Sequence, residues 1–239
     1  IKIMDIPQDI KNKFIVRSDY LDWINKETSI FVYLDLTNMF HWQDVLGWKF
    51  RIEDVIDQLF TFQNIKEVKI YYGFNPRDNK NSEAFHNRIK KTGAILKTKP
   101  MKFILKTIRE GMFFQRKTLT LFDGGVKNKI QELIDELQKS GMFIEESKCN
   151  FDVEMAMDML DDTEKFTAVL LFSGDSDLYA PLERLKIKGK KIGVVGVRGK
   201  VAGELHNIKV KDKYIDFGKF YTGKRAYIKS ENPAFGGTA

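Results

Sequence analysis

The apolar residues fall in short bursts separated by polar stretches. Ile30–Leu34 and Ala168–Phe172 are unbroken apolar runs, the pattern of strands covered on both faces. Val68–Gly73, Gly93–Lys99, Lys191–Val195 and Tyr214–Phe217 are further predicted strands, the second closed by Pro100. Val55, Ile56, Leu59 and Phe60 give Arg51–Gln63 helical spacing. Ser82–Lys91, Val126–Lys139, Phe151–Leu160 and Leu178–Ile187 are further predicted helices, with a short one around Tyr20–Asn25. Lys102–Ile108 and Phe113–Phe122 are expected to be strands or a basic hairpin. Alternation of strands and helices predicts an α/β domain with a largely parallel sheet and right-handed crossovers. In such sheets ligands sit beyond the carboxyl ends of the strands.

A chain of 239 residues, 43% of them hydrophobic and only 5 of them proline, has enough apolar material for a large core and little disorder. Cys149 is the only cysteine. That excludes a disulfide scaffold or a Cys-rich zinc module and suits the cytoplasm. The apolar runs are too short to span a membrane, and after the opening Ile1-Lys2-Ile3 no signal peptide is expected within the given residues.

Charge is distributed unevenly. The net charge is +7. Residues 86–117 carry ten Lys/Arg against Glu110 alone, and residues 184–200 carry seven Lys/Arg and no acid. Phe143–Glu164 holds eight acids against Lys148. Basic surface beside a concentrated acidic site suggests a polyanion held against a metal centre, whereas the plainest reading of charge runs is solvated faces. Phe103, Phe113 and Phe114 stand among Lys102, Lys106, Arg109, Arg116 and Lys117, a mixture suited to phosphate contacts and base stacking, or to a strand face packed on the core.

Three segments carry candidate chemistry. The first strand ends in Asp35-Leu-Thr-Asn38. Lys148-Cys-Asn-Phe-Asp152-Val-Glu154 opens a helix. The strand at 168–172 runs into Ser173-Gly-Asp175-Ser-Asp177. An N-cap accounts for one acid before a helix, but not for Asp175, Asp177 and Asp35 on one sheet edge. Glu154, Asp158 and Asp161 share a helix face expected to be solvated, and Asp152 is the stronger site candidate. Met155, Met157 and Met159 are expected core filler, and His41, His86 and His206 have no metal-ligand spacing. Clustered carboxylates repel, and either take up protons or bind a cation. All-oxygen donors favour Mg²⁺ or Mn²⁺, and such a site suits phosphodiester hydrolysis.

Together these segments resemble the NYN domain, the LabA-like branch of the PIN-like nuclease superfamily. Tyr71-Tyr-Gly-Phe74 and Lys97-Thr-Lys-Pro100 also match, so the resemblance runs from about Ser29 to Phe217. It implies a Rossmann-like three-layer α/β/α sandwich and a metal-dependent endoribonuclease for single-stranded RNA, with DNA a lesser expectation. By the same resemblance Asp35, Asp152, Asp175 and Asp177 would bind Mg²⁺ or Mn²⁺. Asn38 would orient a ligand or the scissile phosphate, and Ser173 would support the turn. Cys149 stands where the family has glycine, and Leu178 where it has Phe. Residues 101–147 are longer than the family pattern, which bears on substrate choice. The expected organisation is an extension over 1–27, the nuclease domain over 28–220 with a basic insert at about 101–147, and a tail over 221–239. RNA would be held by Lys99, Lys102, Lys106, Lys148 and Arg198. No membrane partner is expected, and a homodimer is left open. The alternative is a non-catalytic RNA-binding regulatory protein on the same scaffold.

Overall fold

The computed structural model describes residues 18–107, 123–207 and 210–221. Six strands form one sheet: β1 (Ile30–Asp35), β2 (Ile65–Phe74), β3 (Ile95–Pro100), β6 (Ala168–Phe172), β7 (Lys191–Gly196) and β8 (Lys213–Asp216). All neighbours are parallel, in the order β3-β2-β1-β6-β7-β8. The chain builds outward from β1 to β3, then returns to β1's other side with β6 and builds outward again. This leaves a topological switch point between β1 and β6, where a cleft forms outside the carboxyl ends.

Side chains along β1 alternate between two cores. Ile30, Val32 and Leu34 enter one with Leu36, Met39 and Trp42 of α2 (Leu36–Leu46) and Val55, Ile56 and Leu59 of α3 (Ile52–Leu59). Phe31 and Tyr33 enter the other, with Met155 and Met159 of α6 (Asp152–Asp161) and Leu182 and Leu185 of α7 (Tyr179–Ile187). The result is the expected α/β/α sandwich. Helix α1 (Ser18–Lys26) contributes Ile24 to the first core, and α4 (Asn79–Lys90) contributes Ile89. The short α8 (Phe217–Phe220) and Tyr221 also pack there, so Tyr221, which the sequence assigns to the tail, is buried in this core.

Two elements depart from the pattern expected of the sequence. Residues 36–46 are helical although no helix was predicted there. Asp35 is both the last residue of β1 and the helix cap, so no polar linker announces the change. Between β3 and α6 the described residues form a separate arm, in which β4 (Lys102–Thr107) pairs antiparallel with β5 (Phe143–Lys148) and α5 (Gly124–Lys139) lies between them in sequence. The partner of β4 is therefore β5, an unpredicted strand exposed at every position. The predicted strand Phe113–Phe122, with Arg109, Phe113, Phe114, Arg116 and Lys117, lies outside the described residues. Met157 is 59% exposed and is not core filler, unlike Met155 and Met159. Among the described residues no helix is long and apolar enough to cross a membrane.

Candidate active site

The cleft at the switch point is built from the three predicted segments. Asp35 caps α2, one carboxylate oxygen accepting from the Asn38 backbone N–H at 3.0 Å. Its other oxygen accepts from the Ser173 hydroxyl, also at 3.0 Å. Ser173 is fully buried, and its hydroxyl in turn accepts from the Asp175 N–H at 3.2 Å. The Asn38 side-chain carbonyl accepts from the Gly174 N–H and from the Trp42 indole, both at 3.0 Å. Asn38 thus ties the helix after β1 to the turn after β6, and one polar web fixes Asp35 against Asp175.

The turn needs glycine at 174. A Cβ there would stand 1.9 Å from the Lys200 carbonyl oxygen, because the loop after β7 closes directly over the turn. The Ala202 N–H donates to the Gly174 carbonyl at 2.9 Å. Arg198, exposed, lies in that same loop. On the opposite wall the end of β2 meets Cys149. A Cβ on Gly73 would come 2.5 Å from the Cys149 Cβ, so the cysteine is packed at the cleft wall.

Asp152 opens α6, its N–H donating to the Asn150 side chain at 2.7 Å. Among the described residues its Oδ2 is buried without a hydrogen-bond partner, which is costly for a carboxylate oxygen unless something else satisfies it. Burial raises the Asp152 carboxyl above the usual range against a stabilising bond from Asn150, and the charges of Asp175, Asp177 and Glu154 add to the rise. Burial likewise lifts Asp35 to about 6, outweighing its bonds from Asn38 and Ser173, with Asp152 and Asp175 contributing repulsion. Asp35, Asp152 and Asp175 therefore feel one another electrostatically.

The cleft has a volume of about 230 Å³, and Asp35, Asn38, Asp152, Asp175 and Lys148 line it. Ser173 lies beneath it as the support of Asp35. Asp177 is exposed and does not line the cleft; its N–H donates to Asp175, which caps the short 3₁₀ turn Ser176–Leu178. Thr37, His41, Cys149 and Asn150 also line the cleft without having been singled out as site residues. Thr37 and His41 are four apart on α2, one turn of helix. Reading 36–46 as helix would have placed both beside Asp35.

Oxygen donors of this kind suit Mg²⁺ or Mn²⁺, and the unpartnered Asp152 oxygen is the donor such a cation would take. Among the described residues, however, no three His, Cys, Asp or Glu side chains are already drawn together tightly enough to hold one ion.

The predicted RNA-binding lysines are not equivalent. Lys99 is ion-paired with Glu154 and its ammonium lies 4.5 Å from the Phe151 ring centre. Lys106 is paired with Glu146. Lys102 and Lys148 stand directly opposite each other across the β4–β5 ladder.

The acidic face of α6 is not simply solvated. Asp158 accepts from the Tyr71 hydroxyl at 2.6 Å and lies 3.2 Å from the Lys97 ammonium. Its neighbour Asp162 binds Lys69 and accepts from the Tyr33 hydroxyl at 3.0 Å. Burial raises both tyrosine hydroxyls, and Asp158 and Asp162 reinforce the rise.

A "Low amplitude and bright protein LabA" from Synechococcus elongatus is 26% identical over 203 residues, spanning 84% of this chain and 89% of its own. The crystal structure of a protein of unknown function from Vibrio parahaemolyticus superposes with a TM-score of 0.53 at 18% identity, covering 80% of this chain and 93% of that one. It supports the fold alone. The NYN domain family model matches residues 29–218, a span that includes all three acidic segments. The chain belongs to the NYN domain family, a PIN-like family of nuclease-type, RNA-binding domains.

Proposed function

We propose that this chain is a divalent-metal-dependent endoribonuclease acting on single-stranded RNA in the cytoplasm, through residues 28–220 with the arm as a basic insert at about 101–147. The observation that carries this reading is the buried, unpartnered Oδ2 of Asp152 in a cleft shared with Asp35 and Asp175. Asp35, Asp152 and Asp175 would hold Mg²⁺ or Mn²⁺, with Asp177 an outer contributor to the field. A cation held by these residues would supply an acidified water and would offset the charge that builds on the phosphate. Ser173 and the Asn38 backbone N–H fix the Asp35 carboxylate. The Asn38 side chain holds the turn that carries Asp175. Lys148 places a positive charge on the cleft wall where a phosphate would approach, with Lys102 and Arg198 beside the approach. Lys99 and Lys106, the other two lysines expected to hold RNA, are held by Glu154 and Glu146 and would stand near the strand without taking a phosphate.

A second reading, a non-catalytic RNA-binding regulatory protein, is favoured by the absence of a preassembled three-acid cluster among the described residues. End-labelled single-stranded RNA and DNA incubated with Mg²⁺, Mn²⁺ or EDTA separate the two. The nuclease reading expects RNA cleavage that EDTA abolishes and that Asp35→Asn or Asp175→Asn slows at least ~10²-fold, about 2.7 kcal/mol of barrier. Undiminished cleavage in EDTA contradicts metal dependence, and binding without cleavage under any metal supports the regulator.

A further inference from the structure

We propose that Lys102 and Lys148 form a clamp for one phosphate of a single-stranded nucleic acid, next to the scissile position. The RNA would then leave the cleft along the base of the β4–β5 arm and not over β3. This deepens the nuclease reading and rests on it for the choice of ligand.

The two lysines are a register pair in an antiparallel ladder. Such partners project from the same face, with Cβ atoms about 4.5–5.5 Å apart, and like charges placed so are destabilising. Both side chains are exposed, and among the described residues neither has an ion pair or hydrogen bond. The surrounding cations are different. Lys97 is paired with Asp158, Lys99 with Glu154, Lys106 with Glu146 and Arg77 with Glu145. Each must abandon an acid to take a phosphate, whereas Lys102 and Lys148 lose only their mutual repulsion. A phosphodiester carries one negative charge on two non-bridging oxygens, one for each ammonium group. Lys148 also lines the cleft with Asp35, Asp152 and Asp175, so a phosphate on this pair lies beside the reacting one.

The neighbouring groove on the β3 side has the wrong sign for a polyanion. Its charged lining is Lys97, Lys99, Glu154, Asp158 and Asp161, and both lysines are already paired. A clamp made of ammonium groups reads phosphate and not base or sugar, so RNA and DNA should be held alike at this point.

The test is binding of fluorescein-labelled U12 and dT12 to the full chain in EDTA, followed by anisotropy between 50 and 300 mM salt. Neutralising Lys102 and Lys148 together, as Lys102→Gln with Lys148→Gln, should flatten the slope of log K against log salt by about 0.7 for both oligonucleotides, the value for one phosphate on a single strand. Lys99→Gln and Lys106→Gln should leave the slope unchanged. The melting temperature of the double variant should be unchanged or slightly higher, because a like-charge pair is removed. An unaltered slope in the double variant overturns the clamp, as does equal flattening in Lys99→Gln or Lys106→Gln, or no binding of either oligonucleotide. If the slope shifts as expected but no metal supports cleavage, the clamp stands and the nuclease reading falls. Cleavage with an unaltered slope overturns the clamp alone.

Discussion

Asp35 is held by two good hydrogen bonds and is nonetheless the acid most disturbed by its surroundings. Burial costs its ionised form more than Asn38 and Ser173 return, and Asp152 and Asp175 add repulsion. Its carboxyl rises from an ordinary 3.8 to about 6, so the folded, metal-free protein binds this proton more tightly than the unfolded chain does. The resulting stability is fully present below about pH 4, falls as the pH rises, and is gone above about pH 6. The interval corresponds to at most about 3 kcal/mol. Asp35→Asn cannot titrate and should therefore melt progressively higher than the parent as the pH goes from 4 to 7 in EDTA. A difference in melting temperature that does not change with pH would show that Asp35 is already ionised at acid pH. The identity of these residues was legible in the sequence because three short acid-bearing segments follow or precede apolar elements in a fixed order. The web that joins them was not. Nothing in the spacing says that the Asn38 side chain accepts from both Gly174 and Trp42, because those contacts span up to 136 residues.

At the scale of elements, α6 is what brings Asp152 to the cleft, and a set of polar contacts pins that helix to the sheet. Tyr71 reaches Asp158, while Tyr33 and Lys69 reach Asp162, which is 4% exposed. Burial draws the Lys69 ammonium down, but Asp162 more than restores it, and Asp158 and Glu67 add to the gain. Tyr71→Phe removes one bond to a charged group that Lys97 still faces, a loss of about 1.5–2 kcal/mol. Lys69→Met strips a buried carboxylate of its main partner and should cost about 3 kcal/mol. At roughly 2–4 °C per kcal/mol for a chain of this size, thermal melts should rank parent above Tyr71→Phe above Lys69→Met. The reverse order, or no effect of either, would mean that packing of Met155 and Met159 alone seats α6. Elements with one wet and one dry face, or none wet, were legible: β1, β6, α3 and α7 fall close to where their apolar spacing predicts. Strand β5 was not, because all six of its residues are exposed and no burial alternation marks it. Helix α2 was not, because Phe40 and Val45 are exposed apolar residues that blur its buried stripe of Leu36, Met39 and Trp42.

Over the whole molecule the chain order places opposite charges where a nucleic acid could use them. The switch point between β1 and β6 gathers the acids of three distant segments. The arm leaves the sheet after β3 and returns at Lys148, just before Asp152, so its base forms one wall of the same cleft. Sequence alone showed that basic and acidic blocks exist, but not that acids tie down Lys97, Lys99 and Lys106 while Lys102 and Lys148 face each other without one among the described residues. That distinction comes from the pairing of β4 with β5, an element with no apolar signature. The central claim is that the aspartate cleft is a cation site completed by Asp152. It is tested most directly by calorimetric titration of the full chain with Mn²⁺ at pH 7.5. The parent should bind with a 1:1 or 2:1 stoichiometry, and Asp152→Asn should weaken binding at least tenfold, about 1.4 kcal/mol, with Asp177→Asn affecting it less. Mn²⁺ binding by Asp152→Asn that matches the parent in affinity and stoichiometry would contradict the claim.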